Sequence, residues 1–318
     1  MTKLCISLPG SDEMQCYRED PEGSVRFTFV SFNQSSRFEA RLLPTEVRDE
    51  DFEVSESLGN KAGAGEEQYQ VMVRAAVARI KSEDWGKVVL SRFETRPLRI
   101  SPLHSFMKLV KAYPSACVYL FSHREHGVWM GATPETLLSG DSNRVESMSL
   151  AGTARLGQVG ALGSKEKEEQ QMVTDFIRTC FQQVSGLANI KTGATREVKA
   201  GHLLHLQTMI EATPLKGFDK QELLTNLHPT PAVAGLPRNE ALAYLKDLEE
   251  YDREFYTGYF GVEESGSYHY FVNLRCMRVY ADAVKLFAGG GLTAASNPKD
   301  EWEETRNKMQ TLGNLITP

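Results

Sequence analysis

Nowhere in the 318 residues do eighteen apolar residues run together, so the sequence offers no helical membrane span. The first seventeen residues lack a long apolar core, and no signal peptide is read there. No CxxC pair occurs. The five cysteines (Cys5, Cys16, Cys117, Cys180 and Cys276) are odd in number and scattered. Small buried thiols in a reducing compartment are the simplest account, and a cytoplasmic protein is expected. No basic stripe interleaved with aromatics appears, and a net charge of −6 with a pI near 5.8 disfavours nucleic acid as a partner. No repeat, low-complexity segment or linker divides the chain, so residues 1–318 read as one domain. What is present, 41% hydrophobic and 25% charged residues, suits a soluble globular fold with a sizeable core.

Two acidic clusters stand out, one at Glu166, Glu168 and Glu169, the other at Glu301, Glu303 and Glu304. In a helix, positions three, four and seven apart share a face, so Glu301, Glu304 and Lys308 point one way. Carboxylates from two helices meeting over a cavity suit a hard cation such as Mg2+. Solvated helix faces are the bland alternative.

Residues 25–32 alternate like a half-buried strand, and 68–81 form an amphipathic helix. Strands are expected at 87–94 and 145–150, with a hairpin over 116–121 and 128–131. A long helix covers 165–183, and two strands broken near Gly201 cover 195–210. Helices follow at 219–226 and 239–248. Strands at 256–262, 268–280 and 283–287 precede a final helix after Pro298. The strand pairs with intervening helices predict an α+β fold with extensive antiparallel sheet, not a doubly wound parallel one.

Nine segments then occur in a telling order. They are Lys87-Val88-Val89-Leu90-Ser91-Arg92, Gly131-Ala132-Thr133-Pro134-Glu135, Leu150-Ala151-Gly152-Thr153-Ala154 and the Glu169 helix. Leu204-His205-Leu206, Pro229-Thr230-Pro231-Ala232-Val233 and Val272-Asn273-Leu274-Arg275 come next. Ala288-Gly289-Gly290-Gly291-Leu292 and Glu304-Thr305-Arg306-Asn307-Lys308 complete the series. The succession, over residues 68–316, resembles the chorismate-utilising enzymes: isochorismate and salicylate synthases and the large subunits of anthranilate and aminodeoxychorismate synthases. The resemblance implies a single domain of two large antiparallel sheets flanked by helices, with residues 1–67 a shortened N-terminal part.

The resemblance also implies roles. Water-using members carry a lysine on the first strand, matched by Lys87, where ammonia-using ones carry glutamine. The segment from Pro229 to Arg238 also looks like the water-using branch. A lysine serves as base only when burial or nearby positive charge suits it; in isolation Lys87 would read as a strand-terminal surface lysine. Glu135 matches the proton donor to the departing C4 hydroxyl, which needs burial to stay protonated; alone, Pro-Glu reads as a helix start. Arg275 matches the arginine that meets the enolpyruvyl carboxylate. Gly289, Gly290 and Gly291 bring backbone N–H groups to an anion, and Lys308 adds charge. Gly152, Thr153, His205 and Tyr256 match cavity residues, with a satisfied core histidine and a structural tyrosine as alternatives for the last two. Glu169 and Glu304, with Glu301 beside them, match the Mg2+ ligands.

The expected activity is thus a Mg2+-dependent isochorismate synthase acting on chorismate, with siderophore or menaquinone synthesis as its setting. Salicylate synthase is the nearest rival and a non-catalytic chorismate binder another. No glutamine amidotransferase subunit and no membrane contact are expected, and a monomer is the default. Three departures from the family pattern stand out: Phe287 replaces a tyrosine, Gln170 a histidine, and Gly258-Tyr259-Phe260-Gly261 a Gly-Pro-Val-Gly run. Feedback control by tryptophan is not expected.

Overall fold

Strand ladders dominate the chain. The structure is a computed structural model describing residues 2–11, 13–59, 61–97, 101–155, 162–200 and 203–316, with backbone alone described at 153–155, 200 and 203. The first strands are β1 (Lys3–Ser7), β2 (Gln15–Glu19), β3 (Val25–Val30) and β4 (Arg37–Pro44). Helix α1 (Glu66–Ser82) leads into β5 (Lys87–Pro97), and α2 (Pro102–Ala112) into β6 (Cys117–His123) and β7 (Gly127–Thr133). Then come β8 (Thr136–Gly140), β9 (Val145–Arg155), α3 (Ser164–Gln183), β10 (Leu187–Thr192), β11 (Arg196–Ala200) and β12 (Leu203–Pro214). Helix α4 (Lys220–Leu227), the two-residue β13 (Gly235–Leu236) and α5 (Arg238–Leu248) precede β14 (Tyr259–Glu264) and β15 (Ser267–Val272). Strands β16 (Cys276–Val279) and β17 (Ala283–Leu292) lead to α6 (Pro298–Gly313).

Every described pairing is antiparallel, as an α+β fold requires. The ladder runs β13-β5-β17-β16-β7-β6-β1-β2-β4-β3-β14-β15-β8-β9-β12, with β10 and β11 both on β12. The two expected sheets are therefore halves of one continuous ladder, joined through β1, β2 and β4. The halves fold face to face over an aromatic core. Phe29 stacks on Phe255 at 4.1 Å, and Tyr119 of β6 meets Phe260 of β14 at 4.4 Å. Helices α1, α5 and α6 cover β5 and β17, while α3 covers β9 and β12 and α4 packs on α3 and β8.

Three expectations change. Residues 256–258 are a turn, with Thr257 at φ +59°, and the strand starts only at Tyr259. Span 268–280 is two strands, because Arg275 at φ +47° breaks the ladder between β15 and β16. Cys5 and Cys16, expected as separate thiols, form a disulfide, because β1 and β2 set them opposite each other with Cα atoms 4.1 Å apart. Cys117, Cys180 and Cys276 are free and buried as expected. The expected break at Gly201 lies outside the described residues. No helix among them is long and apolar enough to cross a membrane.

Candidate active site

The glycine-rich end of β17 forms the floor of the site. It pairs with β5 so that Gly289 lies opposite Ser91 and Gly291 opposite Val89. Bare backbone is required here by crowding. A Cβ on Gly291 would stand 2.3 Å from Glu169 Oε1 and 3.1 Å from Lys87 Nζ. On Gly290 it would meet Glu301 Oε2 at 3.0 Å and Glu304 Oε1 at 3.7 Å.

A cavity opens above this floor, lined by Glu135, Gly152, Glu169, His205, Tyr256, Arg275, Gly289, Gly291, Glu304 and Lys308. Chain segments up to 219 positions apart in number, Val89 and Lys308, thus converge on one space (308 − 89). Gly290 and Glu301 lie beneath the floor and do not line it, and Lys87 is wholly buried behind Glu169. The Thr153 side chain lies outside the described residues; its backbone pairs with His205. Gly152 is skipped in that register and holds φ +64°, a bulge that only glycine adopts without strain. A Cβ on it would press on Glu166 O at 2.9 Å.

Three carboxylate–ammonium pairs ring the floor. Lys87 Nζ donates to Glu169 Oε1 at 2.6 Å, Lys308 Nζ to Glu304 Oε1 at 2.6 Å, and Lys165 Nζ to Glu301 Oε1 at 3.1 Å. Burial alone would raise the Glu169 carboxyl, but Lys87, Lys308 and Lys165 hold it below its ordinary value. Glu301 lacks that surplus of cations, and burial together with Glu304 pushes it up to about 7. Its Oε2 is buried with no hydrogen-bond donor.

Glu135 stands apart from these pairs. It sits between β7 and β8, 2% exposed, not at a helix start, and its Oε1 has no hydrogen-bond partner. Burial raises its carboxyl to about 8, against the smaller opposing pull of Lys87 and Lys308. It is therefore a protonated acid at neutral pH facing the cavity. No direct ion pair joins it to Lys87.

Arg275 Nη1 donates to Thr311 Oγ1 at 3.1 Å, and its Nη2 bonds His205 Nε2 at 3.0 Å. Burial, Arg275 and Lys308 hold His205 well below the ordinary imidazole value, so it stays neutral and accepts from the guanidinium. Each Nη keeps a second N–H. Tyr256 stacks on Phe287 at 5.2 Å, and Phe287 in turn on Trp129 at 5.6 Å.

Other lining residues were not expected from the sequence to have a role: Val89, Ala232, Val233, Thr257 and Leu274. Behind them lies a buried pair that also went unremarked, Glu249 and Arg253. Arg253 Nε and Nη2 bond Glu249 at 2.7 and 2.6 Å, and its Nη atoms also reach Val233 O at 2.9 Å and Val89 O at 2.6 Å. Glu249 Oε1 accepts from Ser91 N at 2.7 Å and Ser91 Oγ at 2.8 Å. Opposite charges four residues apart were the available signal.

The donor set fits a hard divalent cation. Mg2+ is held by one or two carboxylates with waters and ligand oxygens, and Glu169 and Glu304 line one cavity. No group of three His, Cys, Asp or Glu side chains among the described residues forms a complete cage.

A family model described as "Chorismate binding enzyme" matches residues 30–317, beginning well before residue 68, where the sequence resemblance was expected to start. The chain is 30% identical over 261 residues to isochorismate synthase EntC of Escherichia coli, covering 78% of this chain and 66% of that one. It is 31% identical over 271 residues to the salicylate biosynthesis isochorismate synthase of Pseudomonas aeruginosa, covering 81% and 56%. It thus spans two thirds or less of the length of these relatives. Among solved structures, the putative 2,3-dihydroxybenzoate-specific isochorismate synthase DhbC of Bacillus anthracis has the same fold. Its TM-score is 0.82 at 22% identity over 99% of this chain and 96% of that one. The menaquinone-specific isochorismate synthase MenF of Escherichia coli also shares it, with TM-score 0.83 at 17% identity over 100% and 89%.

Proposed function

The chain belongs to the family of chorismate binding enzymes, and from that premise we propose that it is an isochorismate synthase. Water adds at C2 of chorismate, the C4 hydroxyl departs, and the ring double bond shifts between them. Lys87, an ammonium donor to Glu169 here, serves as base only in its neutral form; in that form it takes the proton of the attacking water, and Glu135 gives its proton to the leaving hydroxyl, so water enters and water leaves. The observation that carries the reading is Glu135, a buried carboxyl raised to about 8 whose Oε1 has no hydrogen-bond partner. A site built only to bind a dianion would gain nothing from a neutral acid.

Arg275 presents its free N–H edges to a substrate carboxylate while neutral His205 and Thr311 fix the guanidinium plane. Lys308, anchored on Gly289 O at 2.9 Å, supplies a second cation at the glycine floor. Phe287 and Tyr256 form an apolar wall that excludes water from the ring. Mg2+ is the proposed cofactor; Glu169 and Glu304 would hold it, with Glu301 behind them, and it would supply charge to the substrate's ring carboxylate. Because water is the nucleophile, no ammonia-supplying subunit is required.

The test is to incubate purified protein with chorismate and Mg2+ and separate the products by chromatography. Isochorismate alone is expected. Salicylate with equimolar pyruvate would make it a salicylate synthase, and binding without any product a non-catalytic member.

A further inference from the structure

A second cavity lies beyond the active site, beside the segment 62–64 and the start of α1, lined by Gln68, Met72, Arg92, Phe93, Glu250 and Tyr251 among others. Arg92 is 2% exposed, and its guanidinium has an unusual environment. Its Nε donates to Thr305 Oγ1 at 2.8 Å, its plane lies 3.7 Å from the centre of the Trp302 ring, and Tyr69 stands at 5.9 Å. No carboxylate pairs with it among the described residues. Nη2 is buried without an acceptor, and neither Nη makes a hydrogen bond to a described residue.

A buried, uncompensated cation is costly, and native structures pair such charges almost always. The nearby acids are spoken for. Glu94 pairs with Arg96 at 2.8 Å, and Glu249 is held by Arg253. Glu250 is exposed at the mouth and takes a hydrogen bond from Gln68 at 3.2 Å. Stacking on Trp302 holds the guanidinium by its face, which leaves the in-plane N–H edge for a planar, bidentate acceptor. The cavity that Arg92 lines also has an apolar wall, with Met72 and Phe93.

We propose that this cavity is a binding site for a small carboxylate with an apolar body, anchored by the Arg92 guanidinium. The site is separate from the chorismate cavity and does not depend on the reading of that cavity. The two are near neighbours in the chain: Thr305 follows Glu304, and Arg92 lies opposite Ala288, next to Gly289.

The test uses the whole protein labelled with 15N-arginine and titrated with sodium benzoate, then with inorganic phosphate. The buried Nε–H of Arg92 should shift and saturate with benzoate, in the wild type and equally in Arg275→Gln, whose main cavity is impaired. Benzoate affinity measured by calorimetry should fall at least ~10-fold from wild type in Arg92→Lys, as expected for losing a charge-assisted fork. Ala62→Trp, an exposed rim change that leaves Arg92 untouched, should block binding while the protein stays folded. The proposal is overturned by failure of the Arg92 signal to saturate with benzoate. It is overturned equally by binding that survives Ala62→Trp but is lost in Arg275→Gln, or by phosphate binding as tightly as benzoate.

Discussion

Lys87 Nζ lies 2.6 Å from Glu169 Oε1, which ties the residue assigned as base to a residue assigned to the metal. The pair is buried on the lysine side and reaches the cavity through the glutamate. Lys87→Gln keeps a hydrogen-bond donor for Glu169 but removes the base. Turnover of chorismate should fall by ~10²–10⁴-fold with KM changed only severalfold. Steady-state kinetics decide it, and near-normal kcat removes Lys87 from the mechanism.

Gly291→Ala drives a methyl group to 2.3 Å from Glu169 Oε1. The carboxylate must move, and displacing a catalytic group by about 1 Å costs on the order of 10²-fold in rate. Gly65→Ala, whose Cβ meets nothing within 4 Å, is the control and should retain activity. Equal activity in both variants would show that the close packing of Gly291 has no catalytic consequence.

Glu135 gives a pH signature of defined sign. Its carboxyl stands at about 8 folded against 4.5 free. Between those values the native state keeps a proton that the unfolded chain releases, so this group's contribution makes stability fall as pH rises and level off above about 8. The full difference is at most roughly 4–5 kcal/mol. Glu135→Gln lacks the titration, so its stability should gain on the wild type between pH 5 and pH 8 in urea unfolding. Parallel stability profiles would mean that Glu135 is not held protonated. In the wild type, turnover should decline as pH rises through about 8, as the proton donor ionises.

Metal removal should abolish turnover, and added Mg2+ should restore it. Glu304→Gln should weaken Mg2+ binding at least ~10-fold by calorimetry, a readout that does not require catalysis. Full activity in excess chelator rules out the metal.

Arg253→Ala leaves Glu249 charged, buried and short of its partner. Removing one member of such a pair costs about 3–5 kcal/mol. Because the guanidinium also bonds Val89 O and Val233 O, hydrogen exchange should quicken around both. A loss under ~1 kcal/mol would reduce the pair to a local contact.

The residues that gather around the cavity were legible where a segment is short and its demand specific. The glycine run at 289–291 signalled close approach to a charged group, and Glu169 and Glu304 signalled a shared acidic site. The position of that run inside a strand was not legible, since three glycines lack the side chains from which strand alternation is read. Arg275 was assigned to the interior of a strand, because nothing local announces a positive φ at arginine. The Cys5–Cys16 bridge depends on the register of β1 on β2, and the seam through β1, β2 and β4 on which strands pair, neither of which the spacing of cysteines announces. Glu249 and Arg253 resembled any solvated pair, and only the strands packed over them make them interior.

The bare backbone at Gly289–Gly291 also constrains how this protein can diverge. A surface of glycine cannot be carved deeper, because every substitution adds atoms and none removes them. Preference for a larger or smaller ligand must therefore be adjusted from the sides, at Ala232, Leu274 and Phe287, which stand on three separate stretches of chain. Those positions, and not the conspicuous glycines, are where laboratory selection for altered substrates should find its accepted changes.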